Sequence, residues 1–162
     1  TRPFMMTVSL THPHDPYVTT QTYWDRYDPE HIEDPLVPHI PVEARDPHSS
    51  SLYHHYGQDK CTLDRDDYVN AWRGYYGMIS YVDDLFGELM QALQDSGYDN
   101  NTVVIFASDH GDMIGERRMW FKKTLFDPAI KVPLMIAHPD FSPSRIAEPA
   151  SLLDLFPTGL LH

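Results

Sequence analysis

The 162 residues hold 24 Asp and Glu against 12 Lys and Arg, for a net charge of −12, with 41% hydrophobic residues. This suits one globular domain and argues against a nucleic-acid partner, because phosphate tracking needs clustered cations and the only adjacent basic pairs are Arg117-Arg118 and Lys122-Lys123. No apolar run reaches the roughly 18 residues that argue for a bilayer span, so no membrane partner is expected, and Cys61, the single cysteine, excludes an internal disulfide and fits a reducing compartment such as the cytoplasm.

Met5 to Leu10 (MMTVSL) reads as a short buried strand. It runs into Thr11-His12-Pro13-His14-Asp15-Pro16-Tyr17, where the prolines forbid a regular ladder and predict a loop at a strand end. From Val18 to about Thr62 the chain reads as irregular, since Pro29, Pro35, Pro38, Pro41 and Pro47 break every periodic pattern. A loop of that length is either functional or disordered. Tyr23, Trp24 and Tyr27 are expected to pin its first part to the body. His54-His55 reads as a solvated pair rather than a metal site, because no other ligand-type residue lies at helical or hairpin spacing.

Thr62 or Asp64 is a suitable N-cap, with Asp66 and Asp67 placed for the positive end of a helix dipole. Val69, Trp72, Tyr76, Ile79, Val82, Phe86, Leu89, Met90 and Leu93 recur at three- and four-residue steps, the apolar face of a long helix that Gly97 ends. Asn100-Asn101 predicts a turn. Thr102 to Ser108 (TVVIFAS) is a continuous apolar run of the kind found in parallel strands covered on both faces. A second such run spans Val132 to Ala137, and Ser151 to Leu161 predicts a last short helix interrupted by Pro157. Strand, long helix, strand, loop, strand, helix is an α/β pattern.

Ligands of open α/β sheets bind beyond the carboxyl ends of strands. Two clusters fall at such ends, His12-Pro13-His14-Asp15 and Asp109-His110-Gly111-Asp112. Asp109 offers an anionic oxygen to a hard cation, and His110 a nitrogen ligand or a donor to an oxyanion. Gly111 would let the backbone turn sharply and approach a ligand. Lys122, between Phe121 and Lys123 and near Trp120, can present its ammonium to an anionic group. Taken singly, Asp109 capping a turn, His110 satisfied in the core and Lys122 snorkelling past the aromatics explain these residues equally well.

Ser108-Asp109-His110-Gly111-Asp112-Met113-Ile114-Gly115-Glu116-Arg117, followed by Trp120-Phe121-Lys122 and Val132-Pro133-Leu134, resembles the C-terminal active-site block of sulfatases of the alkaline phosphatase superfamily. Ser151-Leu152-Leu153-Asp154-Leu155-Phe156-Pro157-Thr158 is similar to that family's helix after the site. The Thr11 to Tyr17 loop and Tyr76-Gly77-Met78-Ile79-Ser80-Tyr81-Val82-Asp83 look most like choline sulfatases. The resemblance implies a mostly parallel, helix-flanked sheet and hydrolysis of a small sulfate ester such as choline sulfate. It implies a divalent cation held in part by Asp109 and His110, calcium being expected and manganese the alternative because imidazole suits calcium poorly. Lys122 then matches the lysine on the sulfate and its leaving oxygen. His14 matches the histidine on the ester, a candidate proton donor to the departing alcohol, and His110 contacts the metal or the sulfate.

The family nucleophile is a formylglycine made from the cysteine of a Cys-x-Pro-Ser-Arg motif, which Lys60-Cys61-Thr62-Leu63-Asp64 does not match. Residues 1–162 are therefore expected to be the central to C-terminal part of a sulfatase catalytic domain, without the N-terminal nucleophile segment and the C-terminal subdomain. The full-length protein is expected to be a homo-oligomer. Two alternatives stand beside this expectation: a phosphonate monoester or phosphodiester hydrolase of the same superfamily, and a non-catalytic α/β binding or structural domain.

Overall fold

A computed structural model of the chain describes residues 3–159. Its organising element is the helix that the sequence periodicity predicts. Before it lie α1 (Gln21–Trp24) and α2 (Pro47–His55), and α3 itself spans Arg65–Asp95, 31 residues and about 45 Å long at 1.5 Å per residue. Asp64 caps it: its carboxylate accepts the Asp67 amide at 3.0 Å, and the Asp67 carboxylate accepts the Asp64 amide at 3.2 Å. The helix ends at Gly97, whose φ of +73° is the left-handed conformation expected there.

The α3 stripe is buried at one end and only half-covered at the other. Tyr68 and Val69 are buried with Ile32 in a core completed by Trp72, Tyr76 and Trp120. Ile79 and Leu89, further along the same stripe, stay 40% and 36% exposed. Gly74 and Gly77 lie three apart on α3, so they share one face. A Cβ on Gly74 would stand 2.2 Å from the Tyr17 carbonyl oxygen, and one on Gly77 2.6 Å from Thr19 Cγ2. The two glycines thus form a groove in which the chain leaving the His14 loop lies flat against the helix.

The stretch from 18 to 62 is more ordered than expected. It holds α1 and α2, with 3-10 turns at Pro29–His31, Val42–Ala44 and Gln58–Lys60. Pro47 opens α2 instead of breaking it, because a proline in the first turn forfeits no intrahelical bond. Asp46 caps that turn through the Ser49 amide at 2.9 Å. The expected aromatic pinning is present. Tyr27 packs on Tyr76 and Tyr23 on Tyr81, while Arg73 donates to the Tyr27 carbonyl at 2.8 Å and lies over the Trp24 ring.

The sheet differs from expectation. After α3 come β1 (Val104–Ala107), α4 (Asp127–Ile130) and β2 (Leu134–Ala137), and β1 pairs with β2 antiparallel, Val104 opposite Ala137 and Ala107 opposite Leu134. Among the described residues no parallel sheet forms, and Ile105, Met135 and Ile136 remain about half exposed. Met5 to Leu10 forms no strand, and every residue of it is exposed. A strand exists only through a neighbour that takes its backbone bonds, and none of the described segments offers one. Last, α5 (Leu155–Gly159) follows a 3-10 turn at Leu152–Asp154, with Pro157 taken into its first turn; the final residues of the predicted helix lie outside the described residues. No described helix is long and apolar enough to cross a membrane.

Candidate active site

The Asp109–Asp112 loop follows β1 and is rooted in core. Met113, Ile114 and Met119 are 1%, 1% and 2% exposed. Met113 and Met119 cluster with Ala129, Leu52 and Phe126. The Gly111 amide donates to the Ala129 carbonyl at 2.8 Å, the Met113 amide to Phe121 at 2.9 Å, and the Trp72 indole to the Ile114 carbonyl at 3.0 Å. Gly111 does not have the left-handed backbone that a sharp turn would need. Its requirement is proximity: a Cβ there would lie 2.0 Å from the Pro128 carbonyl oxygen at α4. The expected approach to a ligand is instead an approach to the protein's own backbone.

Against this loop lies the segment carrying His14, folded back by the His14 amide donating to Thr11 at 3.0 Å and containing cis peptides before Pro13 and Pro16. The His14 and His110 rings are 6.5 Å apart at 70°. Each has its Nδ1 on a backbone carbonyl at 2.8 Å, of Asp15 and Gly111 respectively. A carbonyl only accepts, so both Nδ1 atoms carry a proton. His110 Nε2 lies 3.6 Å from Asp109 Oδ2, and the Asp109 side chain is 86% exposed.

Lys122 is half-buried between Phe121 and Lys123, whose φ values of 67° and 74° are left-handed. Ile114, Arg117 and Arg118 also have positive φ, so the 114–123 segment holds five non-glycine residues in a costly conformation. The Lys122 ammonium makes no hydrogen bond or ion pair with any described residue. The chain therefore sets His14 beside His110 and Asp109, and brings the Lys122 segment to the same loops without joining its ammonium to either imidazole.

Tyr17 and Asp112 form a link that the sequence did not disclose. The Tyr17 hydroxyl donates to both Asp112 oxygens, at 2.9 and 3.0 Å. Burial raises the pKa of each partner, and the nearby carboxylate raises that of the phenol further, so the proton stays on Tyr17 at neutral pH. Their only sequence signal is position, at the ends of the two clusters already singled out.

The donor set suits part of a metal site. A ligating histidine typically gives its other N–H to a carbonyl, as His110 does, and Asp109 adds a carboxylate 3.6 Å from Nε2. No group of three or more ligand-type side chains gathers among the described residues, so Asp109 and His110 do not make a complete metal site by themselves. His54 is spoken for by Asp59 at 3.1 Å and is 52% exposed, in keeping with a solvated pair. Cys61 is a free, exposed thiol.

Comparison with known proteins bears on the whole chain. It is 42% identical over 158 residues to a choline-sulfatase of Rhizobium meliloti (strain 1021), a match covering 97% of this chain and 31% of that protein. It is 44% identical over 87 residues to arylsulfatase K of Danio rerio, covering 53% and 17%. Among solved structures it is similar to the phosphonate monoester hydrolase SpPMH from Silicibacter pomeroyi, with a TM-score of 0.69 and 27% identity over 81% of this chain and 28% of that one. The chain thus spans about a third or less of the length of these proteins. A family model described as Sulfatase matches residues 1–162, and the chain belongs to the sulfatase family.

Proposed function

We propose that this chain is the central to C-terminal part of the catalytic domain of a sulfuric ester hydrolase acting on a small alkyl sulfate such as choline sulfate. One observation supports the chemistry: two imidazoles distant in sequence stand 6.5 Å apart, each fixed through Nδ1 on a backbone carbonyl. In this proposal a nucleophile oxygen from outside these residues bonds to sulfur as the ester S–O bond breaks with its electron pair on the alcohol oxygen, and His14, protonated at Nε2, delivers that proton to the departing oxygen. Lys122 offsets charge on the transferring sulfuryl group, its ammonium uncommitted to any carboxylate. Asp109 and His110 would hold a divalent cation, calcium or manganese, which supplies Lewis-acid polarisation of the sulfate oxygens when bound. A formylglycine nucleophile would come from a segment outside these residues, since Cys61 lacks the motif around it.

A second reading has support of its own. The likeness to a phosphonate monoester hydrolase makes a phosphonate monoester or phosphodiester a competing substrate class. Turnover of the full-length protein on matched sulfate and phosphonate esters with a common leaving group decides between them. A higher kcat/KM on the sulfate is expected, and a strong phosphonate preference would replace the first proposal by the second.

A further inference from the structure

Tyr17 touches every segment of the candidate site. Its hydroxyl donates to Asp112, two residues beyond His110. Its ring stacks on Phe121 at 6.5 Å and 26°, beside Lys122, and lies 6.2 Å from Trp120. Its own carbonyl is seated on Gly74 of α3, where even a methyl group would collide with it. Three residues before it, in the same folded loop, is His14.

We infer that Tyr17 is a positioning residue: by bonding Asp112 and stacking on Phe121 at once, it seats the His14 loop against the Asp109–Asp112 loop and the Lys122 segment, which Met113 ties to each other and to the core. The inference rests on the proposed hydrolase and says how its parts stay aligned. The clamp contacts no reacting atom. Its loss should therefore fall on steps that need His14 at a fixed distance, above all proton delivery to a poor leaving group. An activated aryl ester needs little such help and serves as the internal reference.

The test compares Tyr17→Phe, which removes the hydroxyl but keeps the stacked ring, with Asp112→Ala and the double variant in the full-length protein. Each single change is expected to lower kcat on an alkyl ester by roughly tenfold or more, since misplacement on the order of 1 Å is costly in an active site. The aryl-ester kcat should fall by less than about threefold. The double variant should lose no more than the worse single one, because the pair acts as a unit. Equal losses on the two esters, or losses that multiply, would overturn the inference. Wild type and His14→Ala, run in parallel on sulfate and phosphonate series, show separately whether the proposed chemistry holds. A crystal structure of Tyr17→Phe judges the clamp whichever ester is cleaved. The His14 and His110 rings should move apart from their 6.5 Å separation, and an unchanged separation would refute the positioning role.

Discussion

Gly111→Ala is a one-methyl perturbation aimed at the candidate site from behind. The added Cβ would lie 2.0 Å from the Pro128 carbonyl oxygen, whereas a close C···O contact is about 3.3 Å. Roughly 1.3 Å must therefore be found, by moving either the Asp109–Asp112 loop or the α4 turn. The turn resists. Ala129 is 3% exposed, packs with Met113 and Met119, and accepts the Gly111 amide at 2.8 Å. Backbone conformation adds no penalty, since Gly111 is not left-handed, so the effect isolates the clash. Overpacking of this kind costs about 1–3 kcal/mol. A shift of about 1 Å in the loop carrying Asp109 and His110 should lower turnover on the order of 10²-fold. Ester hydrolysis by the full-length variant, with denaturant unfolding alongside, measures both. Turnover within about twofold of wild type at unchanged stability would show that the loop's seat on α4 does not place reacting groups.

Gly87→Ala is the matched control. Nothing lies within 4 Å of the position, so replacing an exposed mid-helix glycine should stabilise α3 by roughly 0.5–1 kcal/mol and leave kinetics alone; a loss of stability would mean that side is covered. Lys122→Ala should cut kcat on the order of 10²-fold, and near-normal turnover would remove Lys122 from the site. Asp46 gives a pH test. The Ser49 hydroxyl and then the Ser49 amide hold its carboxyl below the usual range. A pKa depressed by folding contributes stability that is present above the unfolded value and lost as pH falls through the folded one. Asp46→Asn should therefore be less stable than wild type at neutral pH, and the gap should close below about pH 4. A gap that persists at pH 2 would point to packing instead of charge.

What the sequence could disclose follows the range of each interaction. Helix α3 was legible because its signals are local: a cap at Thr62 or Asp64, which proved to be Asp64, the acids Asp66 and Asp67 behind it, the apolar steps from Val69 and the stop at Gly97. Strand positions at β1 and β2 were legible from β-branched runs, but strand direction is a property of the pair, and the pair proved antiparallel. Met5 to Leu10 has strand composition without a described partner. Pro47 misled because a proline breaks a helix in its interior and begins one at its first turn. At the candidate site, His14, Asp109, His110 and Lys122 stood out by chemical type. The Tyr17 to Asp112 bond and the groove at Gly74 and Gly77 did not, because each depends on contact between distant segments.

In the proposed site His14, Asp109, His110 and Lys122 serve one anion and its cation. A crystal structure of the full-length protein soaked with a divalent cation and inorganic sulfate measures it directly. The cation is expected on Asp109 and His110, with the Lys122 ammonium and His14 Nε2 both at hydrogen-bond distance from the same sulfate. Cation and sulfate bound at separate places, or Lys122 turned away to solvent while both are bound, would contradict it.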